Sequence, residues 1–132
     1  MNLHPDRSQG RERSLKRKAV MDRVFAAGHT AKSFPLISRF GQVAKDGPAP
    51  TRVAFTVSKK RFRRAVDRNR IKRLMRESWR NLRSPFEELV SDHEQCAVVL
   101  IFVGKDIPSQ EAMDKAMSRL LPRMKEALTE AT

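Results

Sequence analysis

The stretch VSKKRFRRAVDRNRIKRLMRESWRNLR, residues 57–83, governs how the rest of the chain is read. Residues 64–83 contain neither Gly nor Pro, and Pro85 ends the pattern, so the spacing predicts a helix of about five turns. Steps of about 100° per residue separate two faces. Ile71, Leu74, Met75, Ser78, Trp79 and Leu82 share one arc, joined by Asp67 and Arg68 from the first turn. Asn69, Lys72, Arg73, Arg76, Arg80 and Arg83 share the opposite arc, which holds no acid and only Ala65 as an apolar residue. A face that is merely solvated usually intersperses Glu, relieving repulsion through i, i+4 pairs; this one does not.

The charge of the whole chain is concentrated in the same place. The 132 residues carry 28 Lys and Arg against 15 Asp and Glu, a formal net charge of +13. Residues 59–83 alone hold twelve of the bases and two of the acids, Asp67 and Glu77. A polyanion relieves the self-repulsion of such a block, which points to nucleic acid ahead of an anionic membrane surface. Guanidinium groups one turn apart on a rigid helix can engage successive phosphates, with bidentate geometry that Lys lacks. Asn69, set among these cations, suits a base edge or sugar hydroxyl, or a local bond at the helix start. Phe62 either stacks on a base or packs against the sheet, and packing is the reading adopted.

Outward from the helix, residues 52–58 alternate as a half-buried strand, with Val53, Phe55 and Val57 on one face. Residues 45–50, KDGPAP, form a turn by composition, and residues 33–43 read as a further strand with Phe34, Leu36 and Phe40 on one face and Ile37 and Arg39 on the other. Pro35 cannot donate to a ladder, which predicts a sheet edge or the strand's start. A first helix is predicted over residues 13–27 with Gly28 just beyond its end, preceded by a disordered basic tail, residues 1–12. On the other side, AVVLIFV, residues 97–103, is apolar on both faces and predicts a central strand covered on both sides. A last helix, residues 110–128, is predicted to be N-capped by Ser109 and kinked or broken at Pro122, with a short tail at residues 129–132.

About 39% of the residues are apolar, enough for one core, so a single domain over residues 13–128 is expected. No window approaches the ~18 apolar residues of a membrane span, and the start of the chain lacks the apolar core of a secretory signal, so a soluble cytoplasmic protein with no membrane partner is expected. The single cysteine, Cys96, has no partner for an internal disulfide and reads as a small buried hydrophobe.

The runs Val57-Ser58-Lys59-Lys60, Arg63-Arg64-Ala65-Val66, Arg68-Asn69-Arg70-Ile71-Lys72-Arg73 and Arg76-Glu77 resemble the signature of the protein subunit of bacterial ribonuclease P. The resemblance extends over residues 15–128. It implies an α/β (α+β) sandwich of order αβββαβα, with a mixed four-stranded sheet and a left-handed βαβ crossover through the basic RNR helix. Handedness statistics alone predict a right-handed one.

The resemblance also implies a role: a catalytic RNA removes the 5′ leader of precursor tRNA, and the basic protein binds that RNA and the leader. On this chain the RNA-binding set becomes Lys59, Lys60, Arg63, Arg64, Arg68, Asn69, Arg70, Lys72, Arg73, Arg76 and Arg80. A leader cleft between the RNR helix and the sheet is implied to include Met21, Phe25, Phe34 and Ile37. Met21 and Ile37 stand where many relatives carry aromatic rings, and Val103 stands near a usual Arg or Lys. The implied partners are the catalytic RNA, one copy per protein monomer, and precursor tRNA, in the bacterial cytoplasm. Mg²⁺ is implied to be held mainly by the RNA.

No protein catalytic residue or metal site is expected. His4, His29 and His93 are dispersed, no Cys/His pair has ligand spacing, and there is no Gly-rich phosphate loop. Asp67 and Glu77 are about 80° apart around the helix, a poor arrangement for holding two metal ions between them. A ribosomal or ribosome-assembly RNA-binding protein shares the basic helix but predicts no effect on precursor cleavage. A helix-in-groove DNA-binding protein is disfavoured by the strands that flank the helix.

Overall fold

In the computed structural model the described residues are 28–44, 47–90 and 94–130. The predicted first helix and the tail before it, with Met21 and Phe25, lie outside them. Three strands come first: β1 (His29–Ser33), β2 (Leu36–Ala44) and β3 (Thr51–Val57). Helix α1 (Ala65–Leu82), the one-turn α2 (Ser84–Glu87), β4 (Glu94–Phe102) and α3 (Gln110–Glu130) follow. The sheet is mixed, in the order β1-β2-β4-β3, with β1/β2 and β2/β4 antiparallel and β3/β4 parallel. The parallel pair is joined through α1, the crossover expected from the resemblance. An antiparallel pair can close with a tight turn, but a parallel pair needs a long connection, and here that connection is the basic helix.

The strand expected over residues 33–43 is two strands. Ser33 pairs with Leu36 across a turn made by Phe34 and Pro35, whose peptide bond is cis. Pro35 therefore precedes a central strand rather than lying on an edge, and its missing N–H falls in the turn, where no ladder needs it. Its carbonyl is used: the Val103 N–H donates to it at 2.8 Å, tying the turn to the end of β4.

Alternation along the strands sorts side chains between two faces. On one, Leu36, Phe40, Val98, Leu100 and Phe102 meet Ile71, Met75 and Trp79 of α1 and Met113, Met117 and Leu120 of α3 in the main core. Each such side chain contributes about 1.5–3 kcal/mol by leaving water. On the other, Ala97 and Val99 are fully buried with Val43, Ala54 and Ile101 packed against them. β4 is thus apolar on both sides because it is buried on both sides, as its sequence predicts.

Two expectations about helix ends are corrected. Helix α3 continues across Pro122 without a break and runs to Glu130, so residues 129–130 belong to the helix and not to a tail. Ser118, whose carbonyl loses its N–H partner, and Pro122 are both exposed, so water can take the lost bond. Its start is as predicted: the Ser109 hydroxyl accepts from the Ala112 N–H at 3.1 Å.

The second correction concerns Arg83, assigned by its helical phase to the exposed cationic arc. It is 1% exposed. Helix α1 ends at Leu82, and α2 turns Glu87 back so that its carboxylate accepts from Arg83 Nε at 3.3 Å. The same carboxylate accepts from the Thr51 hydroxyl at the start of β3. A buried guanidinium needs such partners, and the pair fastens the end of α1 to the sheet.

Candidate nucleic-acid interface

Helix α1 lies on the sheet by Ile71, Met75, Ser78 and Trp79, all buried. A polar contact fixes its rotation: the Ser78 hydroxyl donates to the Asp114 carboxylate of α3, and Gln110 of α3 donates to Ser78 at 3.0 Å and to the Leu74 carbonyl at 3.2 Å. With that side anchored, the opposite side faces solvent. Asn69, Arg70, Arg73 and Arg76 are exposed, and Lys72 and Arg80 are half-buried. Asn69 makes no side-chain hydrogen bond to another described residue, which leaves its amide available to a ligand.

The cations of this row differ in how firmly they are held. Arg80 donates to Glu77 at 2.5 Å, and this bond holds the Glu77 carboxyl below its ordinary range. Arg76 lies over the ring of Phe55 on β3, its guanidinium carbon 5.5 Å from the centroid. Phe55 was missing from the predicted site because its alternation marks it only as an inward strand residue. Arg73 is exposed with no carboxylate against it among the described residues.

The approach to α1 is a built turn. The Ser58 hydroxyl accepts from the Lys60 and Arg61 N–H groups at 3.2 and 3.4 Å, and the Ser58 carbonyl accepts from the Phe62 N–H at 3.1 Å. Phe62 packs inward, 7% exposed, with its ring centroid 5.9 Å from that of Phe102. Lys59, Lys60, Arg63 and Arg64 therefore project outward from a fixed loop beside the first turn of α1. Arg68, one of the expected RNA-binding set, also has an internal role. Its Nη1 donates to the Phe62 and Arg63 carbonyls at 2.8 and 2.9 Å, so it braces the loop from beneath.

Ile71 and Met75 of α1 pack onto the sheet at 0% exposure, and two of the four residues of the implied leader cleft, Met21 and Phe25, lie outside the described residues. Ile37 pairs with Ile101 and lies on the opposite face of the sheet. Phe34 lies in the β1–β2 turn, 78% exposed. The predicted set thus divides into a cationic surface that α1 and its approach bring together, and two apolar residues, Phe34 and Ile37, that stand apart from it. Among the described residues, no group of three or more His, Cys, Asp or Glu side chains is placed to hold a metal ion, and no helix is long and apolar enough to cross a membrane.

Residues 10–128 match the family model described as Ribonuclease P. The chain is 34% identical over 119 residues to a protein named ribonuclease P protein component from Chlorobium phaeobacteroides, covering 81% of each chain. It is 35% identical over 117 residues to one of the same name from Chlorobaculum tepidum, covering 81% of this chain and 76% of that one. Its fold is similar to that of the RNase P protein of Staphylococcus aureus, with a TM-score of 0.64 at 20% identity, covering 83% of this chain and 93% of the other.

Proposed function

The chain belongs to the ribonuclease P protein family, and from that premise we propose that it binds the catalytic RNA of its ribonuclease P through the outward face of α1 and assists removal of the 5′ leader from precursor tRNA. The observation that carries this reading is the row Asn69, Lys72, Arg73 and Arg76 on a helix whose other face is locked to the sheet and to α3. Cations on a rigid element meet a phosphate track without having to be ordered first, so binding releases counterions at little conformational cost.

The cleavage chemistry belongs to the RNA. Mg²⁺ is held by RNA phosphates, and three of the described protein carboxylates are engaged otherwise: Glu77 with Arg80, Glu87 with Arg83, and Asp114 with Ser78. Protein cations reduce repulsion between the catalytic RNA and its RNA substrate, which leaves fewer charges for the metal to screen. One protein per RNA in the bacterial cytoplasm completes the reading. Leader contacts fall to residues outside the α1 row, with Phe34 and Ile37 the described candidates.

The test is precursor tRNA cleavage across a Mg²⁺ titration with RNA alone, protein alone and both together. The expected result is a lower Mg²⁺ midpoint with both and no cleavage by protein alone. Identical midpoints with and without protein would contradict the assisting role.

A further inference from the structure

A cleft of about 620 Å³ opens at the end of the sheet beside the β1–β2 turn, and Phe34, Pro35, Arg61, Gly104, Lys105 and Asp106 are among its lining residues. Its walls are fixed. Pro35 is tied to Val103 by a backbone hydrogen bond, and the Arg61 guanidinium donates to the Val103 carbonyl, which holds that cation at the rim. Gly104 lets the chain leaving β4 close onto the wall: a Cβ there would lie 2.7 Å from the Phe102 ring and 3.1 Å from Pro35. The Phe34 ring, 78% exposed, stands at the mouth.

We propose that this cleft takes one unpaired nucleotide of RNA, with its base stacked on Phe34 and its phosphates beside Arg61 and Lys105. An exposed ring beside an apolar wall offers a π-face to any base, and two cations at the rim suit the flanking backbone. Asp106 repels phosphate and so faces the base edge, where it accepts from an exocyclic amino group. That favours cytosine, adenine and guanine over uracil. Arg61 also belongs to the cationic loop that leads into α1, so the cleft continues the proposed interface around the end of the sheet. A volume of this size lies within the range of small-ligand sites.

The proposal rests on the reading that the chain works on RNA, and the probes separate the two. In the full chain, Phe34→Trp places an indole at the cleft while Trp79 stays fully buried. A short oligocytidylate is expected to quench that indole and to bind more tightly than oligouridylate. Phe34→Ala is expected to lower oligocytidylate affinity about tenfold, and Phe34→Trp to retain it. Phe34 touches no core, so these variants fold; circular dichroism checks this. Quenching by the catalytic RNA alone would assign the nucleotide to that RNA. Quenching only by a precursor tRNA that carries a leader, and not by mature tRNA, would assign it to the leader. Absence of quenching by every probe, with Phe34→Ala binding as tightly as wild type, would overturn the proposal. Failure of the wild-type chain to bind catalytic RNA would instead overturn the reading above, and the oligocytidylate result would still decide the cleft.

Discussion

The guanidinium of Arg76 rests over the ring of Phe55, 5.5 Å from its centroid, so one cation of the α1 row is held in place by the edge strand beneath it. Both residues keep some exposure. Such a contact contributes about 0.5–1 kcal/mol at an exposed site, and it also restricts a side chain that otherwise loses rotamer freedom on binding phosphate.

Phe55→Leu should therefore weaken binding to the catalytic RNA about two- to fivefold. The number of cations is unchanged, so the slope of log affinity against log salt should stay the same. Binding isotherms at several salt concentrations check both. A lowered slope would show that Phe55 controls more than the placement of Arg76.

Glu87 accepts from Arg83 and from Thr51 in a setting where the Arg83 and Glu87 side chains are 2% and 10% exposed. Glu87→Ala leaves a buried guanidinium short of its carboxylate and should destabilise the fold by about 3–5 kcal/mol. Glu87→Gln keeps an acceptor for Thr51 and should cost less. Denaturant unfolding of the two variants gives the comparison. RNA affinity measured where both remain folded should change little, since neither side chain belongs to the exposed row.

Much of this arrangement is legible in the sequence, and the exceptions have physical reasons. The acid-free arc of α1, the apolar run of β4 and the stripe of α3 follow from periodicity, which burial imposes over many residues at once. Arg83 has the correct phase for the exposed row, but the helix ends one residue before it. Only the fold-back of α2 brings Glu87 to it, and the i, i+4 spacing of the two was the available signal. Arg68 falls by phase in the core-facing arc and joins the RNA-binding set through the resemblance alone, whereas the open carbonyls of Phe62 and Arg63 depend on a loop shape that no periodicity reports. The hairpin at Phe34 and Pro35 looked like one strand because apolar residues continue through a two-residue turn.

Pro122 should be replaceable with a gain. The helix already passes through it, and its ring is exposed. Pro122→Ala restores an N–H to the Ser118 carbonyl and should stabilise the protein by about 1–3 kcal/mol, read as a raised thermal midpoint. An unchanged or lowered midpoint would mean that the proline ring makes a compensating contact.

Burial pushes the Cys96 thiol up to about 12, well above the ordinary thiol range. The unfolded thiol ionises at lower pH than the native one, so above about pH 8.5 the unfolded state binds fewer protons. Stability should then fall as pH rises towards 12, by up to about 1.4 kcal/mol per pH unit from this group. The alkaline slope should be shallower in Cys96→Val. Alkylating reagents at neutral pH should leave the native thiol unmodified and react once the chain is denatured.

The central claim is that the exposed cations of α1 provide the contact with the catalytic RNA. The most direct measurement compares the salt dependence of binding for wild type, Arg73→Ala/Arg76→Ala on α1, and Lys115→Ala/Arg119→Ala on the exposed face of α3, which removes the same charge elsewhere. The α1 variant should bind more weakly and lose somewhat less than about 1 from the log–log slope for each phosphate contact removed, while the α3 variant stays close to wild type. Equal losses in the two variants would show that net charge, and not the α1 surface, governs binding, and would contradict the account.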